Sequence, residues 1–190
     1  ATPAFATYLP VGPQKDVPLA TVTGGGWSLC YSATMGTVFG SSAATTLAAC
    51  GAGTQIMLAG RETGSDTLLV LAQTTKVDAF TDTGAAINGI FTTSNGADWF
   101  YADDYSWGFK PVGVGFSKNQ CDFSAPDSSM CVHTLNFTGG YSINTIVALN
   151  NSSAYETLVG VYTGAVIPEP ATWAMLIAGF GLVGVAARRR

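Results

Sequence analysis

Between residues 7 and 165 no stretch keeps a helical period for long. Short β-prone runs recur instead, punctuated by Gly, Asn, Asp and Pro. The runs are Trp27–Tyr31, Gln55–Ala59, Thr67–Gln73, Lys76–Thr81, Ile87–Thr92, Trp99–Tyr101, Tyr105–Phe109, Val112–Phe116, Val132–Phe137, Ile143–Leu149 and Glu156–Thr163. Strands this short and this evenly spaced predict an all-β domain, a sandwich or barrel, with a small propeller-like array as the alternative. One helix is expected here, the alanine-rich Ser42–Ala49 just before Cys50.

The pattern changes at the end of the chain. Residues Ala171 to Ala187 form an uncharged run of 17, preceded by Pro168-Glu169-Pro170 and followed by Arg188, Arg189 and Arg190. As a helix the run spans about 25 Å, the short end of what crosses a bilayer. Pro170 suits a first helical turn. Glu169 and the arginines sit at the dipole ends that favour their charges. The arginines place the C-terminus in the cytoplasm and the rest outside. Ala174, Ala178, Gly181 and Val185 line one face with small side chains, suited to packing on the transmembrane helices of a larger complex. Gly179, Gly181 and Gly184 spell a dinucleotide fingerprint, but the βαβ unit it requires cannot follow in six residues.

Pro168, Glu169, Pro170, Trp173, Ala174, the glycine-rich apolar stretch and the three arginines together resemble the PEP-CTERM sorting signal of Gram-negative bacteria, in the variant with tryptophan and alanine after the triplet. The resemblance covers about the last 23 residues. It implies export, anchorage in the inner membrane and cleavage near the triplet by an exosortase-type enzyme. An ordinary single-pass anchor is the plainer alternative.

Residues 1–6, ATPAFA, resemble the small-residue tail of a secretory signal, with Ala4-Phe5-Ala6 as an A-x-A-type site; either the cut lies before Ala1 or these six residues are its remnant. Three parts are therefore expected: that remnant, a β-rich exported domain over 7–165 and a sorting or anchor segment over 166–190. Cysteine usage agrees with an oxidising compartment. Cys30, Cys50, Cys121 and Cys131 contain no C-x-x-C pair and are too widely spaced for a zinc site. Nearest-neighbour pairing, Cys30 with Cys50 and Cys121 with Cys131, closes the shortest loops.

Charge narrows the partners. Of 8 basic and 12 acidic side chains, the tail holds three arginines and Glu169, leaving 5 and 11 elsewhere, a net of −6. Such a domain repels nucleic acid and anionic headgroups.

Three features could carry chemistry. Asp82-Thr83-Gly84 is the aspartic-protease triplet, but that reaction needs two carboxylates sharing a proton. A single copy would need a homodimer, and as a turn the triplet is ordinary. The segment Trp99 to Phe109 packs six aromatics around a turn at Ala102-Asp103-Asp104. Its rings are either core or, through Trp99, Tyr101, Tyr105 and Trp107, an exposed platform for a polysaccharide or protein partner. Asp98, Asp103 and Asp104 lack an ordered calcium loop. The sole histidine, His133, has no G-x-S-x-G elbow beside it.

No catalytic residue, cofactor or metal is expected. The leading expectation is a non-catalytic exported surface or matrix protein, on the periplasmic side of the inner membrane or at the cell surface after sorting. The alternatives are an accessory subunit of an inner-membrane complex and a glycan-binding module.

Overall fold

The computed structural model describes residues 7–51, 53–85 and 89–164. In chain order its elements are β1 (Gln14–Pro18), α1 (Leu19–Gly24), β2 (Trp27–Thr34), α2 (Ala43–Thr46), β3 (Gln55–Glu62), β4 (Thr67–Thr75), α3 (Lys76–Ala79), β5 (Thr92–Ser94), β6 (Ala97–Ala102), β7 (Ser106–Pro111), β8 (Met130–His133), β9 (Gly140–Ile143) and β10 (Tyr155–Tyr162). The strands form two antiparallel five-stranded sheets, ordered β1-β4-β3-β10-β2 and β5-β6-β7-β8-β9. Among the described residues no strand is shared between them, which fits the expected sandwich rather than the closed barrel or the propeller.

One apolar cluster joins the sheets. Ile56, Leu58, Val70, Ala72, Val159 and Val161 of the first sheet share it with Trp99, Trp107, Phe109, Met130, Val132 and Ile143 of the second. Each fully buried side chain of this size contributes about 1.5–3 kcal/mol. The intervening residues of the first sheet are buried too. Met57, Ala59, Leu68, Leu71 and Leu158 lie under Val22 of α1 and beside Trp27. Burial on both faces explains why β3 reads as a continuous apolar run.

Several expected strands end differently. Lys76–Ala79 is a helical turn because the Thr75 hydroxyl accepts the Asp78 N–H and caps it. Val112–Phe116 carries no strand; Gly113, at φ 76°, turns the chain away after β7. The expected helix at Ser42–Ala49 is split into α2 and a 3-10 turn over Ala48–Cys50. The strand expected over Ile87–Thr92 falls partly outside the described residues, and β5 begins at Thr92. The β5–β6 hairpin closes through Asn95 and Gly96, both at positive φ as a type I′ turn requires.

Cys30 is bonded to Cys50 and Cys121 to Cys131. The first bond ties β2 to the turn before β3. The second ties the long β7–β8 loop to β8.

The two ends of the domain differ. At one, Tyr162 pairs with Trp27, Thr75 leads into α3, and the Gly12 N–H donates to Asn95 O. At the other, Met35 bonds Tyr155 and Gly140, Thr63 bonds Ala154, and the Asp104 N–H donates to Ser41 O. Among the described residues no helix is long and apolar enough to cross a membrane. The helix expected at about 170–187 and the signal remnant at 1–6 lie outside them.

Candidate functional site

The aromatic hairpin is core. Register pairs Trp99 with Phe109 and Tyr101 with Trp107 across β6 and β7. Trp99, Trp107 and Phe109 have no exposed surface, and Tyr101 is buried. Trp107 packs on Phe39 and Phe80 and donates its Nε1–H to Ala79 O at 3.1 Å. The exposed platform considered for Trp99, Tyr101 and Trp107 is therefore corrected, because the first sheet covers the face that carries these rings. Tyr105 alone is half-buried, its hydroxyl donating to Asn119 Oδ1 at 3.0 Å. Asp103 and Asp104 are exposed at the tip, while Asp98 lies at the far end of β6. The three carboxylates do not converge.

The opposite face of this hairpin is polar and also buried. Lys110 meets Asp98 directly across the strands, Nζ to Oδ2 2.5 Å, and Thr93 donates to the other carboxylate oxygen. Burial pushes the Asp98 carboxyl up, but hydrogen bonds from Lys110 and Thr93 outweigh it and hold it below the usual range. The Lys110 ammonium also lies over the Phe91 ring, 4.3 Å from its centre. Lys118, buried in the β7–β8 loop, donates to the carbonyls of Thr83, Gly84 and Ile90. Asp82-Thr83-Gly84 is thus a turn clamped by a lysine through its backbone, and Asp82 accepts the Gly84 N–H. That is an Asx-turn, with the carboxylate engaged in local structure.

Cys121, Cys131, Phe100 and Tyr141 complete the layer. Gly108 sits opposite Phe100, where a Cβ would collide with Met130 O and the Phe100 ring, so only glycine fits. Outside the loop lies an open concavity of about 380 Å³ between Phe116 and Pro126, with no charged side chain in its wall.

His133 occupies the end of β8. Its Nε2 meets Asn150 Oδ1 at 3.0 Å, its ring stacks on Tyr141, and Asp122 Oδ1 approaches the same nitrogen at 3.9 Å. Nothing orients Nδ1 toward a nucleophile: Ser106, directly across the strand, makes no hydrogen bond through its hydroxyl to a described residue. This arrangement does not form a charge-relay triad.

Burial drives the His133 pKa down to about 4. The folded state therefore keeps it neutral, while the unfolded chain protonates near its ordinary value of about 6.5. Stability from this term is full above that value and lost as pH falls toward 4, by at most about 3 kcal/mol. Burial raises the Asp122 carboxyl, so its earlier protonation offsets part of the loss. Melting temperatures between pH 7 and 4.5 should decline more steeply for the wild type than for His133→Gln; parallel slopes would contradict the assignment.

The sorting residues Pro168, Glu169, Pro170, Trp173, Arg188, Arg189 and Arg190 lie outside the described residues. Compared with known families, residues 166–190 match the PEP-CTERM protein-sorting motif. No curated protein and no solved structure matches the chain. The match assigns an address rather than an activity to the β-domain. The chain thus carries a PEP-CTERM protein-sorting motif over residues 166–190, which supports export and sorting to the cell envelope or surface.

Proposed function

We propose that this is a non-catalytic envelope protein, held in the inner membrane by its apolar C-terminal segment until an exosortase-type enzyme releases it toward the surface or matrix. The match at residues 166–190 carries the reading. Weak insertion suits a temporary anchor. Leu176, Ile177, Phe180, Leu182, Val183 and Val185 contribute only about −0.3 to −0.6 kcal/mol each, and the Gly and Ala positions add little. Support for a non-catalytic domain comes from its polar groups. The sole histidine is buried against Asn150, all four cysteines are in disulfides, and Asp82 is used in a turn.

Replacing Pro168, Glu169 and Pro170 together by alanine in the native host tests the address. The variant should accumulate in the inner-membrane fraction with its tail attached and be lost from the surface fraction. An unchanged distribution would remove the sorting function.

A further inference from the structure

We infer that the end of the β-domain from which the chain leaves toward its tail rests on the bilayer surface, with the aliphatic tips of the Tyr8–Gly12 segment and of α3 against lipid. The inference deepens the proposed anchorage and rests on it. β10 ends at Tyr162 beside Trp27, and Gly164 packs against Gly26 and Tyr162. Only Ala165, Val166 and Ile167 separate that point from Pro168. The four Cα-to-Cα steps from Gly164 to Pro168 reach at most about 14 Å. So short a connection keeps this end of the domain near the headgroups.

The side chains gathered there suit that position. The Tyr8–Gly12 segment crosses the end, bonded at Tyr8 to Gly25, at Pro10 to Gln73 and at Gly12 to Asn95. It exposes Leu9 and Val11, the latter by 71 %. Val77 of α3 is 79 % exposed, and Val112 is exposed just after Pro111, which pairs with Ala97. Small apolar tips of this kind are what a polar interface accepts at low cost.

Charge is arranged to match. Residues 8–14, 24–28, 53–55, 94–97 and 162–164 contain no charged side chain. α3 adds one of each sign: Asp78 accepts the hydroxyls of Thr75 and Ser94, and Lys76 donates to the Cys50 and Gly51 carbonyls. The opposite end exposes Glu62, Asp66, Asp103 and Asp104. Repulsion between an acidic domain and anionic headgroups decays over about 8 Å at physiological salt. Turning the carboxylates away and the end of no net charge inward is therefore the orientation that electrostatics favours.

Phe137, 73 % exposed, provides the internal control. It follows Asn136, which accepts the Ser41 N–H at the acidic end. The full chain is reconstituted into vesicles of phosphatidylcholine and phosphatidylglycerol containing a phospholipid with a headgroup-level diazirine. After photolysis, adducts are mapped by peptide mass. Label is expected on the tail and on peptides containing Leu9–Val11 and Val77, and not at Phe137. Val11→Asp with Val77→Asp should lose the domain adducts and keep those on the tail. A labelled tail with an unlabelled domain, or with label at Phe137 in place of Val11 and Val77, overturns the inference and leaves the anchor standing. An unlabelled tail overturns both.

Discussion

Trp107→Ala should destabilise the β-domain by about 3–5 kcal/mol, the cost of emptying a fully buried aromatic site. For a domain of this size that lowers the melting temperature by roughly 10 °C. The site has little freedom to collapse. Trp107 lies between Tyr101 and Val132 in the sheet, with Phe39 and Phe80 packed on its ring. Its indole N–H also satisfies Ala79 O, which would lose that donor. Trp107→Phe keeps most of the packing and should cost markedly less. Thermal melts of the two variants decide the matter. A stable Trp107→Ala domain that fails to stay with the envelope would instead return the ring to a binding role.

Losing either disulfide is the next largest expected change. Cross-link separations of 20 residues for Cys30–Cys50 and 10 for Cys121–Cys131 correspond to about 3 kcal/mol each on loop entropy alone. The consequences differ in place. The Cys121 loop carries the buried Lys118 and lays Phe116 on Phe100, so its release lets water reach that charge and the layer behind β6 and β7. Cys121→Ser with Cys131→Ser should accelerate amide exchange over residues 115–129 and 98–110. Cys30→Ser with Cys50→Ser should leave those segments protected. Identical exchange patterns in both variants would show that the loop does not roof this layer.

Much of this architecture was legible because alternation survives where only one face of a strand meets the main core. Trp99, Tyr101, Trp107 and Phe109 alternate, and the hairpin follows from the turn between them. The buried outer face was less visible. By alternation Asp98 and Lys110 fall on the face away from the main core, and counting back from the hairpin tip places them opposite one another. The Phe91 ring lies over Lys110 and the Gly113 backbone bonds Asp98, contacts that local pattern does not announce.

β1 was missed for a related reason. Its central Lys15 and Asp16 and its terminal Pro18 resemble a loop, yet an edge strand tolerates charge and a missing donor. Lys76–Ala79 has strand-like composition until Thr75 is recognised as a cap. The roles of Lys118 and Asn150 depend on contacts to Thr83 and His133, far apart in sequence, and no spacing rule reaches them.

The central claim is that the tail is an address and that the β-domain is its cargo. Intact mass measurement of the protein recovered from the outer surface of native cells tests this most directly. The account predicts a polypeptide ending near Pro168, with both disulfides formed and Trp173 and the three arginines gone. Surface protein that retains Arg188 to Arg190, in amounts insensitive to the loss of Pro168-Glu169-Pro170, would contradict it.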